Sequence, residues 1–256
     1  MKITFLGTGT SQGVPVIGCE CGTCKSDDVR DKRLRTSVLI EHEGKTFVID
    51  TGPDFRQQML RENVKDLTAI LFTHEHKDHI AGLDDIRAFN YIHKRPMDVY
   101  ADVRVQKALR REYAYVFAED KYPGIPEMRT YTIDNAPFFV DDVKIIPIRL
   151  MHYQLPILGF RINNFTYITD TNYIEPEEKE KIKGSKVIVV NALRKKKHIS
   201  HFNLEEALEL IKELKPELAY LTHISHLMGR QADVEKELPD NVKFAYDGLC
   251  FSTNSI

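Results

Sequence analysis

Leu71–Gly82, LFTHEHKDHIAG, sets three histidines and an aspartate side by side straight after an apolar run. The ligand-capable residues are His74, His76, Asp78 and His79. On extended backbone, residues two apart project to the same side, so His74 and His76 can grip one ion together. Asp78 and His79 lie where the loop turns into a helix expected to start near His79 or Ile80, and they can face a second point. Imidazole and carboxylate donors suit zinc, iron or manganese. The alternative, a solvated polar loop, fits poorly with three of the chain's 10 histidines gathered behind one strand.

The run before the loop, LTAILFT, is too apolar to alternate and reads as a strand buried on both faces. Further strand-like runs are KITFLG, TSVLIEHEGKTFVIDTG, MDVYA, VKIIPIRL, GFRI, FTYITD, KVIVVNA, LAYLTH and VKFAYDGLCF. The second of these holds two runs separated by HEGK, which predicts a hairpin. PDFRQQMLREN reads as a helix, with Pro53 early and Asp54 in the first turn. NLEEALELIKEL is another: Leu204, Ala207, Leu208, Ile211 and Leu214 recur at helical spacing, and Asn203 is its expected cap. Strands in runs, then a helix, in each half predict a layered α/β architecture of mixed sheets covered by helices. No fixed-period repeat or low-complexity linker divides the chain, so residues 1–256 read as one domain. Leu109–Met128 stands apart, helical at first and Pro/Gly-rich at the end, with Tyr113, Tyr115 and Tyr122 followed by Tyr131. Its tyrosines either pack on the core or mark a lid or dimer contact beside the site.

Composition narrows the class. The 256 residues are 42% hydrophobic and 29% charged, as in soluble globular proteins, and a single core can serve this length. A formal net charge of −2 provides no global basic field for nucleic acid. The opening MKITFLGTGT lacks a signal peptide's apolar core and cleavage site, and no apolar run reaches the ~18 residues of a membrane helix. A cytoplasmic protein without a membrane partner is expected. Four cysteines in so long a chain do not suggest a disulfide framework. Cys19, Cys21 and Cys24 cluster as a metal clip would, and Cys250 reads as a small buried strand residue.

Three more candidates close predicted strands: His152 after VKIIPIRLM, Asp170 at the end of FTYITD, and His223 at the end of LAYLTH. Each alone is an ordinary residue. Together they share a position, a ligand-type side chain at the C-terminal end of an apolar strand, where open α/β sheets place ligand sites.

THEHKDH followed in order by His152, Asp170 and His223 resembles the metallo-β-lactamase superfamily. The resemblance implies a four-layer αβ/βα sandwich with a two-metal site between the sheets. It implies that His74, His76 and His152 hold one metal, that Asp78, His79 and His223 hold the other, and that Asp170 bridges. The opening LGTGTSQGVPVIGCECGTC and the late LTHISH are similar, nearly end to end, to the phosphoribosyl 1,2-cyclic phosphate phosphodiesterase family of the carbon–phosphorus lyase pathway. That resemblance implies a structural zinc on Cys19, Cys21, Cys24 and His226, a closed thiolate and imidazole set. His223 and His226 lie three apart, so one can face the reaction site and the other the clip.

The expected activity follows from the resemblance: hydrolysis of a small phosphodiester, cyclic phosphoribosyl among the options, by a hydroxide bridging two divalent ions of zinc, manganese or iron. Asp78 and His201 are the catalytic candidates. His201 matches a histidine lining the family's site, where it contacts a phosphate oxygen or gives a proton to the leaving oxygen; His198 is left open. The basic runs RDKRLRTS (Arg30–Ser37) and RKKKH (Arg194–His198) are mostly solvated faces, but RKKKH precedes His201 closely and would draw a phosphorylated substrate. The GTGTSQG turn (Gly7–Gly13) lacks the Lys-Ser/Thr ending of a phosphate-binding P-loop and reads as tight backbone at the site's edge. Two rivals remain. A tRNA 3′-processing nuclease shares the opening FLGTG but needs an RNA-gripping arm, for which Leu109–Met128 is the candidate. A non-catalytic metal-binding protein has little reason to keep a complete ligand set. A homodimer is a further expectation.

Overall fold

The computed structural model describes residues 1–120 and 122–253. Two seven-stranded sheets lie face to face. The first runs, in spatial order, β14 (Cys250–Ser252), β1 (Lys2–Gly7), β2 (Ser37–His42), β3 (Lys45–Ile49), β4 (Ala69–Leu71), β5 (Met97–Ala101) and β6 (Met128–Thr132). The second runs β13 (Val242–Phe244), β12 (Leu218–Thr222), β11 (Val187–Asn191), β10 (Phe165–Tyr167), β9 (Leu155–Ile162), β8 (Val143–His152) and β7 (Phe138–Val140). From β3 to β6 and from β10 to β13 neighbouring strands are parallel.

The continuous apolar runs have a direct cause: their strands are covered on both faces. In β11, Val187 and Val189 enter the core between the sheets with Phe160, Phe165 and Tyr220. Ile188 and Val190 face the other way, into a core with Leu204, Ala207 and Ile211. In β3, Phe47 and Ile49 pack between the sheets, while Val48 packs outward with Phe55, Met59, Phe89 and Leu109. Each such side chain fully buried contributes about 1.5–3 kcal/mol. The three cores separate four layers, so the expected αβ/βα sandwich is the observed one. Among the described residues, no helix is long and apolar enough to cross a membrane.

Local signals act as expected in several places. Glu43 and Gly44, at φ 51° and 73°, make the two-residue hairpin turn joining β2 to β3, where both positions need positive φ. Asn203 caps helix Leu204–Leu214 in a reciprocal box with Glu206. Asp54 precedes helix Phe55–Arg61, but its carboxylate accepts from the backbone and guanidinium of Arg35 instead of capping.

Other expectations are corrected. VKFAYDGLCF is not one strand: it supplies β13 to the second sheet and β14 to the first, with Gly248 at φ 87° in the turn between them. Cys250 is therefore not buried but exposed, because β14 is an edge strand. The two opposite edges, β6 and β7, carry no strand signal in the sequence, since β6 exposes much of its length.

Candidate metal centre

The seven expected ligands come from four chain segments at one end of the sheets. His74 and His76 follow β4, His152 closes β8, Asp170 follows β10 and His223 follows β12. The helix expected from His79 or Ile80 starts earlier, inside the motif, and spans Lys77–Ile80, with His76 extended at its cap position. That puts Asp78 and His79 in a helical turn. Asp170 and His223 take φ of 56° and 55°, a left-handed conformation that non-glycine residues seldom adopt. Turns elsewhere in the chain, Glu43 among them, share this φ; here it turns the Asp170 and His223 side chains off the ends of their strands.

The structure brings the seven together as two clusters, His74 with His76 and His152, and Asp78 with His79, Asp170 and His223; within each, donor atoms lie within 4.8 Å of one another. His74 Nε2 is 3.1 Å from His76 Nδ1. His79 Nε2 is 3.4 Å from Asp78 Oδ2 and 3.3 Å from Asp170 Oδ2. His223 Nε2 is 3.2 Å from Asp170 Oδ2. The same Asp170 oxygen lies 3.8 Å from His74 Nε2, so it stands between the two clusters.

These separations fit shared cations better than mutual hydrogen bonds. Two donors bound at ~2.1 Å around a tetrahedral ion sit about 3.4 Å apart. One carboxylate oxygen has two lone pairs and cannot accept well from every imidazole facing it. His79 Nε2 and both ring nitrogens of His223 are buried without a hydrogen-bond partner, an arrangement that is costly unless something else binds them.

A second layer of contacts orients the rings. Asp50, which closes the β3 run, accepts from Thr73 N–H at 2.8 Å, Thr73 Oγ1 at 2.7 Å and His79 Nδ1 at 2.7 Å. Thr73 Oγ1 in turn accepts from His74 Nδ1 at 2.9 Å. His152 Nδ1 donates to the Ser200 carbonyl at 2.8 Å. With Nδ1 occupied, each of these rings offers Nε2 to the centre, which is how ligating histidines are oriented. The sequence reading missed Asp50, although it carries the same signal as Asp170: a carboxylate at the end of an apolar strand.

Burial is the largest influence on these groups. It holds His74 well below the usual imidazole range. It opposes charge on His79 too, but Asp170, Asp78 and Asp50 outweigh it and raise that group. Burial likewise works against ionised Asp170 and Asp78, and the neighbouring imidazoles of His79 and His223 overcome it and lower both.

Close backbone approach completes the support. A Cβ on Gly52 would lie 2.2 Å from the Asp78 carbonyl. Its absence lets Thr51 N–H donate to His79 O at 2.7 Å. The Gly7–Gly13 turn lies at the other side, with Ile224 N–H donating to Thr8 O at 2.8 Å.

The cysteine cluster is separate. Cys19, Cys21 and Cys24 Sγ lie 3.2, 3.4 and 3.5 Å from His226 Nδ1, near the ~3.6 Å expected around a tetrahedral zinc. The Cys24 backbone N–H lowers the Cys21 thiol to about 6, and burial pushes Cys24 up to about 11. His223 and His226 do face different centres.

His201 is buried, with Nε2 3.4 Å from Asp170 Oδ2. Burial lowers its imidazole to about 4, so it is neutral at neutral pH. The basic run beside it is partly engaged within the fold. Arg194 donates to the Lys196 and Lys197 carbonyls, Lys195 pairs with Glu237 and Lys197 with Glu206. In Leu109–Met128, Tyr113 is buried and donates to the Ile80 carbonyl at 2.7 Å, and Tyr115 bonds Asp84; Lys121 lies outside the described residues.

A model described as a Beta-lactamase superfamily domain matches residues 45–224. A crystal structure of a diphosphatase from the PhnP family is 35% identical, with a TM-score of 0.92 over 98% of this chain and 96% of that one. An octanoyltransferase of Porphyromonas gingivalis is 40% identical over 252 residues, 97% of this chain and 51% of that protein. Ribonuclease Z of a Cyanothece species is 27% identical over 167 residues, 64% of this chain and 47% of that protein. The chain thus spans about half the length of these curated relatives. With the superfamily domain covering most of its length and the diphosphatase similar from end to end, the chain belongs to the beta-lactamase superfamily and, within it, to the PhnP family.

Proposed function

We propose that the chain is a metal-dependent phosphodiesterase for a small phosphodiester, with a cyclic phosphoribosyl diester as the leading substrate class. The observation that carries this reading is Asp170 Oδ2, faced by His74 from one cluster, His79 and His223 from the other, and His201. We assign His74, His76 and His152 to one divalent ion, Asp78, His79 and His223 to a second, and Asp170 to both. Zinc, manganese and iron all suit these donors. Two ions so held would neutralise phosphoryl charge and bring the pKa of water toward neutrality. Cys19, Cys21, Cys24 and His226 are assigned to a structural zinc, a complete set with no position left for substrate.

The chain's own residues do the rest. Asp50, Thr73 and the Ser200 carbonyl hold three imidazole rings in place, so the site needs little reorganisation as charge develops. Neutral His201 takes up the proton that the water gives up on becoming the attacking hydroxide and returns it to the leaving oxygen. One O–H and one P–O bond break, one P–O bond forms, and the proton ends on the leaving group. No protein nucleophile is required.

The similarity to a diphosphatase supports a small substrate. So does the basic run, in which Lys195 and Lys197 pair with Glu237 and Glu206. The similarity to ribonuclease Z favours a second reading, tRNA 3′ processing. Competition between a cyclic ribose phosphate and a precursor tRNA for the zinc- or manganese-loaded protein tests the choice. Turnover of the cyclic diester, unaffected by the RNA, is expected; selective cleavage of the RNA would overturn the small-substrate reading.

A further inference from the structure

Behind His201, on the side away from Asp170, three polar groups meet. Ser200 Oγ lies 3.0 Å from His201 Nδ1 and 3.3 Å from His198 Nδ1. The two Nδ1 atoms are 3.2 Å apart, and the Ser200 backbone N–H points at His198 Nδ1 from 3.3 Å. That last contact sets a direction, because a backbone N–H can only donate. His198 Nδ1 must therefore be an acceptor, with its ring proton on Nε2. A bare His201 Nδ1 only 3.2 Å from that acceptor would set lone pair against lone pair, so His201 Nδ1 carries the hydrogen, and the Ser200 hydroxyl oxygen beside it is placed to accept as well.

We infer that His198 and Ser200 are positioning residues for His201, holding it in the tautomer that carries its proton on Nδ1 and turns an unprotonated Nε2 toward the metal centre. One contact opposes this: Asp170 Oδ2, 3.4 Å from His201 Nε2, would accept a proton there. It is the longer contact, and the same oxygen already faces His74, His79 and His223, so its lone pairs are committed to the centre. Ser200 Oγ and His198 Nδ1 are closer, at 3.0 and 3.2 Å from His201 Nδ1. The loop has a further tie, since the Ser200 carbonyl accepts from His152 Nδ1 at 2.8 Å. One short segment thus fixes a metal-cluster ring and the ring expected to move the proton.

The inference rests on His201 working at this centre, but its main test needs no turnover. Nitrogen-15 correlation spectra of the zinc-loaded protein at neutral pH report which ring nitrogen of His201 bears hydrogen. We expect Nδ1 protonated and Nε2 bare in the native chain. In His198→Ala and Ser200→Ala the Nε2-protonated form should gain, and His198→Asn, whose amide oxygen can replace the Nδ1 acceptor, should restore the native pattern. A native His201 protonated on Nε2, or a ring unchanged in both alanine variants, would overturn the inference. In diester hydrolysis, His198→Ala should lower kcat about tenfold, less than the ~100-fold or more an acid–base group supplies, with KM and metal content unchanged. In a His201→Ala background the same substitution should cost nothing further; an equal loss in both backgrounds would show that His198 does not act through His201.

Discussion

Asp50 Oδ2 lies 2.7 Å from His79 Nδ1, with both side chains wholly buried. The carboxylate also reaches His74 through Thr73 Oγ1, so one residue just after β3 orients a ring in each cluster. Asp50→Ala should weaken divalent-metal binding at the reaction centre about 10–100-fold and leave the zinc of the cysteine clip in place. Metal titration with quantified stoichiometry measures both, and unchanged affinity would remove Asp50 from the site's support.

Gly52 makes a packing prediction. A Cβ there meets the Asp78 carbonyl, which is backbone and cannot swing aside. Gly52→Ala should lower stability by about 1–3 kcal/mol and loosen the turn that carries Asp78 and His79. Thermal melts and metal titration should move together; a fully stable variant with native metal affinity would mean the turn yields freely.

The clip should act on stability rather than chemistry. Replacing Cys19, Cys21 and Cys24 with serine should remove one zinc and lower Tm by about 5–10 °C, the shift of 2–3 kcal/mol in a chain of this size. The ions of the reaction centre should remain. If all bound metal disappeared while the chain stayed folded, the two sites would not be independent.

Asp247 supplies a pH dependence. Burial pushes its carboxyl from 3.8 up to about 6, against the donors Leu34 N–H and Thr8 Oγ1 and the charges of Arg61 and Arg33. A carboxyl raised in the folded state contributes stability that is full below its unfolded pKa and is lost as pH rises through the folded one. The change is about 2 kcal/mol between pH 4 and 6. Asp247→Asn does not titrate, so the melting difference, variant minus native, should rise across that window. Metal loss at low pH affects both chains and cancels in the difference. A flat difference would contradict the burial argument.

How much of this was legible depended on where the partner residue lay. His74, His76, Asp78 and His79 are visible because one short loop holds them all, and His152, Asp170 and His223 because each ends an apolar strand. Asp50 ends one too, but nothing in its neighbourhood names histidines more than twenty positions away as its partners. The pairing of Lys195 with Glu237 is likewise silent in the sequence, so the basic run looked freer for substrate than it is. VKFAYDGLCF reads as one strand because apolarity says that a residue is covered, not by which sheet. The edge strands β6 and β7 escaped notice because an edge buries too little for a pattern to form.

The central claim is tested most directly by hydrolysis of bis(p-nitrophenyl) phosphate by the protein loaded in turn with manganese, zinc or nickel, beside Asp78→Ala treated alike. The account predicts metal-dependent release of nitrophenol by the native chain, and its loss in Asp78→Ala together with one bound ion and without unfolding. Absence of hydrolysis with every metal, or full activity in Asp78→Ala, would contradict it.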